Sequence, residues 1–259
     1  MNMDKNEKND ILKTYTKNGT PINSQQYCQK GKWLNIFDKF LLSTPFNRPD
    51  MFYVNSKYCY MFEHFEIDAS LYRAGKGSAY KRNLSSIDKQ LKKKTNEMID
   101  NIKRNPNELS LQSITLSTTQ EATKENFKNN FNRIFDSHYL NITEYKENLK
   151  KQLNAKNYIY KTIFIIEQTT EFGGIIVKDG KHIDLELFYC DFVINKLKES
   201  SNVDYVIFLN KSNTKITFVE NGNFKKLHKH ILTYDNEYIC FIDDVITLTQ
   251  TYFIPNKML

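Results

Sequence analysis

The sequence predicts a mixed α/β (α+β) domain, a central mixed sheet flanked by helices and carrying a helical insertion. Three observations support this. Residues 58–67 and 158–168 are runs of aromatic and β-branched residues, the composition of strands. Residues 69–157, which hold the stretch between them, are polar, with apolar side chains at helical spacing. Short strands and one further helix follow, so the order reads helix, strand, strand, helices, strand, hairpin, helix, strand.

Taken in order, residues 1–30 are rich in Asn, Lys, Thr and Gln without apolar periodicity, and predict a mobile polar arm. Residues 31–259 form a single domain in this reading, with the insertion at about 83–157. Leu34, Phe37 and Leu41, widened by Ile36 and Phe40, make one face of a helix over 33–42, and Thr44-Pro45 ends it. Residues 51–54 and 58–67 are strands joined by a turn at Asn55-Ser56. Leu84, Ile87, Leu91 and Met98 mark a helix stopping near Pro106. Phe127, Phe131, Ile134 and Phe135 mark a second, and Ile142, Tyr145, Leu149 and Leu153 a third. Residues 110–119, rich in Ser, Thr and Leu, have no assigned element. Asp179-Gly180, between Ile175-Ile176-Val177 and Lys181-His182-Ile183, predicts a hairpin. A helix over 185–199 and strands at 205–209, 215–219 and 238–242 complete the chain.

Composition narrows the function classes. The 259 residues include 37 Lys+Arg and 30 Asp+Glu, a net charge of +7, with a pI near 9.0. This excess permits a nucleic-acid partner without requiring one. The apolar runs, such as Ile163-Phe164-Ile165-Ile166, are too short to span a bilayer, and Met1 to Asp10 has no apolar h-region. A soluble, cytoplasmic protein with no membrane partner is expected. The cysteines at 28, 59, 190 and 240 form no CxxC pair, and three lie in apolar segments, as buried reduced thiols do.

The chemistry concentrates in Arg48-Pro49-Asp50 and, after twelve intervening residues, Glu63-His64-Phe65. An Asp opening one strand and a Glu in the next approach each other across a ladder of about 4.8 Å spacing. Carboxylates that close repel unless a cation lies between them, and hard oxygen ligands suit Mg²⁺ or Mn²⁺. Such an ion activates water and neutralises charge on a phosphodiester.

Pro49-Asp50 followed by a charged strand with Glu63 resembles the PD-(D/E)XK nuclease superfamily, with its restriction-endonuclease-like core. The resemblance covers 33–82, with 158–209 as later strands. It implies Asp50 and Glu63 as metal-binding carboxylates and the backbone carbonyl of His64 as a further metal ligand. It departs from the family pattern two residues after the Glu, where a lysine is expected and Phe65 stands. Lys76 and Lys81, in the GKGSAYKR run that opens the next helix, are the candidates to supply that charge.

Other clusters weigh less. His64, Glu66 and Asp68 alternate on the face opposite Glu63; a metal site is one reading, and a solvent-facing polar edge is favoured. Glu167-Gln168 reads as a strand end at the surface, and His228 and His230 as surface residues. Arg82 and the run Lys92-Lys93-Lys94 follow the acids on one helix, a pattern suited to phosphate backbones. The expectation is therefore a magnesium-dependent nuclease acting on DNA, in restriction, defence or repair, with a homodimer left open. The main rivals are a non-catalytic nucleic-acid-binding or interaction protein with a decayed site on the same fold, and an unrelated hydrolase using Glu63 or Glu66 on small substrates.

Overall fold

The structure is a computed structural model that describes residues 5–27, 31–73, 77–104, 113–154, 157–169, 175–176, 182–183, 190–211, 213–222 and 244–253. It divides into two compact units, Met1–Asp68 with Lys128–Ile242, and Ala69–Phe127 with Asp243–Leu259. In chain order the elements begin with α1 (Lys5–Tyr15), β1 (Thr16–Lys17), β2 (Thr20–Pro21), β3 (Asn23–Tyr27), α2 (Lys32–Leu41) and β4 (Thr44–Pro45). Then come β5 (Met51–Val54), β6 (Tyr58–Ile67), β7 (Tyr72–Arg73), β8 (Gly77–Ser78), α3 (Ala79–Arg104), β9 (Ser113–Ala122), α4 (Lys124–Leu140) and α5 (Ile142–Gln152). The last are β10 (Ile159–Gln168), β11 (Ile175–Ile176), β12 (His182–Ile183), α6 (Asp191–Glu199), β13 (Tyr205–Asn210), β14 (Lys215–Glu220) and β15 (Asp244–Phe253).

The mixed α/β class holds. Among the described residues the first unit is built on a seven-stranded sheet of order β3-β14-β13-β10-β6-β5-β4. β10 lies parallel to both β6 and β13, and β5 returns antiparallel on β6. Strands buried on both faces read as near-continuous apolar runs, which is why 58–67 and 159–168 carry so little polar alternation. Alternate side chains separate two cores. Tyr60, Phe62, Ile163 and Ile165 pack with Ile11 and Tyr15 of α1 and Ile36, Phe37 and Phe40 of α2. On the other face Phe65, Phe164 and Phe135 of α4 meet edge to face, and Phe131 of α4 meets Phe192 of α6. Cys59 and Cys190 are buried free thiols, and burial pushes Cys59 up to about 12.

Three expectations change. Where a mobile arm was expected over 1–30, α1 buries Ile11 and Tyr15 against the sheet, and β3 pairs with β14. Lys8 Nζ donates to the carbonyls of Leu41 and Ser43 at 2.7 Å, satisfying orphan acceptors at the C-terminal end of α2. Asn18 and Gly19, both at positive φ, turn the β1–β2 hairpin.

The insertion does not run over 83–157. α4 from Lys128 onward and α5 belong to the first unit, because their aromatic stripes pack on the sheet. In the second unit β9, over the stretch with no assigned element, pairs antiparallel with β15, and α3 packs on that ribbon with Ile87 and Leu91 buried. Finally, β6 is an inner strand with neighbours on both sides, not a half-buried strand with a polar edge.

The strands β11 and β12 pair antiparallel as the hairpin signal requires, while Asp179-Gly180 itself lies outside the described residues. So do Pro106, most of the segment expected as helix before Asp191, the expected strand at 238–242, His228, His230, Cys28 and Cys240. Among the described residues no helix is long and apolar enough to cross a membrane.

Candidate active site

Pro49 is buried, and Asp50 immediately precedes β5. The antiparallel register, with Met51 opposite Phe62, continues one step to bring Asp50 opposite Glu63. The two residues are tied reciprocally. The His64 backbone N–H donates to Asp50 Oδ2 at 2.7 Å, and the Asp50 backbone N–H donates to Glu63 Oε2 at 3.2 Å. Each carboxylate is thus fixed by the backbone of the strand opposite it, which removes rotamer freedom from both. The sequence-predicted pair is brought together.

Glu63 is 5% exposed, and a buried carboxylate needs donors. Two come from helices on the same face of the sheet. The Tyr145 hydroxyl of α5 donates to Glu63 Oε1 at 2.7 Å, and His138 Nδ1 of α4 lies 2.8 Å from the same oxygen. Burial, then the Glu63 charge, pushes the Tyr145 phenol well above its ordinary range, so it stays a donor. The His138 ring stacks on Phe65, 4.5 Å between centroids and 11° from parallel. Phe65, two residues after Glu63, is thus the platform on which an imidazole lies.

Sequence reasoning missed His138 and took Tyr145 for an apolar stripe. Positions 127, 131, 135 and 138 share one helix face, so a histidine closing an otherwise aromatic stripe was the available signal.

The opposite face holds a second polar cluster. His64 Nε2 lies 3.2 Å from Glu167 Oε2, and the Tyr15 hydroxyl donates to Glu167 Oε1 at 2.8 Å. Glu66 and Glu167 are direct register partners on parallel strands. His64, Glu66 and Glu167 line a cavity of about 510 Å³ together with Asp10, Lys13 and Lys211. Burial works to raise the Glu167 carboxyl, but the His64 hydrogen bond and charge, with Tyr15 and Lys211, outweigh it and hold it below the usual range. Neither expectation for these residues survives: His64 and Glu167 are each 8% exposed, a paired interior and not a solvent-facing edge or a surface strand end. Asp68, past the end of β6, is buried as well.

The basic candidates belong to the second unit. Lys81 and Arg82 lie at the start of α3, Arg82 half-buried; Lys92, Lys93 and Lys94 are exposed along it; Lys76 lies outside the described residues. In the first unit, Arg48 and Lys151 border a cleft of about 520 Å³ between the loop that carries Asp50 and helix α5. Among the described residues no three His, Cys, Asp or Glu side chains converge as a self-sufficient metal site. Two carboxylates are nonetheless a donor set that suits Mg²⁺, which keeps waters and substrate oxygens in its remaining positions. No family model matches the chain, and neither a curated protein nor a solved structure matches it.

Proposed function

We propose that this protein is a metal-dependent phosphodiester hydrolase of the PD-(D/E)XK type, acting on DNA in the cytoplasm. The observation that carries the reading is the reciprocal backbone tie that fixes Asp50 and Glu63 opposite each other at the end of the β5–β6 hairpin. The order of elements around them supports it: a helix before the hairpin, and a buried parallel strand, β10, after it. A hard cation held by Asp50 and Glu63, with the His64 carbonyl, would supply charge neutralisation at the phosphate and an acidified water. The chain's own contribution is placement: Tyr145 and His138 orient Glu63, and Lys151 with Arg48, itself paired to Glu144 at 3.6 Å, lines a cleft next to the loop that carries Asp50, the charge a phosphate backbone would meet there.

The test is cleavage of plasmid and single-stranded DNA with Mg²⁺ or Mn²⁺, together with the metal-induced rise in melting temperature. Wild type should cut and be stabilised, and Asp50→Asn should lose both. An equal thermal shift in the two proteins would remove Asp50 from the site. One observation favours a second reading, a nucleic-acid-binding protein with a decayed site: Phe65 stands where the lysine is expected, and Glu63 Oε1 already receives Tyr145 and lies against His138. DNA binding without cleavage under either metal would select it.

A further inference from the structure

We propose that His138 holds the attacking water in this site, taking over on an aromatic platform the place that the sequence leaves without a lysine. The proposal rests on the assignment of Asp50 and Glu63 as the acids of a phosphodiester hydrolase. Phe65 lies on the same strand face as Glu63, two residues on, and is 5% exposed. Its ring meets those of Phe135 on α4 and Phe164 on β10 edge to face, at 82° and 79°, so an aromatic cluster holds the Phe65 side chain in place. The flat face of the Phe65 ring carries the His138 imidazole, with the two centroids 4.5 Å apart.

The imidazole is fixed in two further ways. Nδ1 is 2.8 Å from Glu63 Oε1 and 3.4 Å from the Tyr145 hydroxyl. With the phenol donating to Glu63, the carboxylate is the acceptor, and Nδ1 carries the proton that points at it. A ring held by its face and by Nδ1 has one polar atom left. Among the described residues the ring hydrogen bonds of His138 run through Nδ1, which leaves Nε2 as an acceptor for a water O–H. Exposure agrees: the His138 side chain is 26% exposed and that of Glu63 7%, so solvent meets this edge of the site through the imidazole. A carboxylate that fixes the tautomer and orientation of an imidazole, whose far nitrogen then faces the nucleophile, is an established solution to aiming an oxygen.

Two variants separate this role from simple support of Glu63. His138→Asn keeps an amide donor near the position of Nδ1 and removes the far acceptor. His138→Gln reaches toward the position of Nε2. Removing the group that aims the nucleophile costs about 100-fold in rate. With Mn²⁺ and plasmid DNA, His138→Asn should lose about that factor in kcat with little change in KM, His138→Gln should retain more activity than the Asn variant, and both should keep the Mn²⁺-induced thermal shift. In the metal-free wild type, long-range ¹H–¹⁵N NMR of the histidine rings at pH 8 should find the His138 proton on Nδ1.

A His138→Asn enzyme as fast as wild type, or faster than His138→Gln, would reduce His138 to a support for Glu63. A proton on Nε2 would overturn the acceptor role outright. A wild type that binds Mn²⁺ through Asp50 and cuts nothing would overturn the assignment of His138 while sparing that of the acids. A wild type with no Mn²⁺-dependent shift would overturn both.

Discussion

Glu167 shows how a single side chain reports on the face of the sheet away from Asp50 and Glu63. Its carboxyl is held below the usual range despite burial, because His64, Tyr15 and Lys211 favour the ionised form. A group whose folded pKa is depressed contributes stability above its unfolded pKa, about 4.3 for Glu, and loses it as pH falls through the folded value. Urea unfolding of wild type and Glu167→Gln should therefore differ most near pH 6, with the difference shrinking by pH 3. A gap independent of pH would detach Glu167 from this network.

Much of the residue-scale site was legible, and the rest failed for one reason. Asp50 and Glu63 follow from spacing along a hairpin, and His64 falls opposite Glu63 by simple alternation. Which helix would supply donors to a buried Glu63 is a long-range fact: His138 and Tyr145 lie 75 and 82 residues away in sequence. No local pattern contains it.

At the scale of elements, legibility tracked pattern strength. The long apolar strands β6 and β10 agree with the sequence reading to within one residue at each end, because burial on both faces imposes a continuous apolar run. α1 is hard to read from sequence because its polar composition dilutes a stripe of only Ile11, Leu12 and Tyr15, and the Asn18-Gly19 turn lies in a segment of the same polar composition. β9 was missed because its partner β15 lies more than a hundred residues away, and its Ser/Thr-rich face has no period until that pairing is made. The status of α1 is directly measurable. Ile11 is 5% exposed in the core shared with α2, so Ile11→Ala should lower stability by about 2–5 kcal/mol in urea unfolding. In a mobile arm the same change would stay within about 0.5 kcal/mol.

At the scale of the molecule, apolar stripes gave the number and type of helices in the middle of the chain but not what they pack against. The same stripes therefore fit an insertion that includes α4 and α5, whereas α4 from Lys128 onward and α5 belong with the sheet. The division into two units separates two groups of charge on which the proposed reading as a DNA-acting protein draws. The acids, with Arg48 and Lys151, lie in the first unit, and the exposed run Lys92-Lys93-Lys94 lies on α3 of the second. Lys93 is committed only loosely, to Glu97 one turn on at 3.9 Å between exposed side chains, a contact worth little in water. Phosphate contacts made by such lysines release counterions, and each one lost flattens the dependence of log K on log salt by about 0.9 on duplex DNA. Replacing all three by Ala should weaken DNA binding in fluorescence anisotropy and reduce the salt slope by up to about 2.7. Asp50→Asn should leave that slope in place, since it removes no positive charge. If the triple variant binds with the wild-type affinity and slope, the run is a solvated helix face, and recognition falls to the first unit alone.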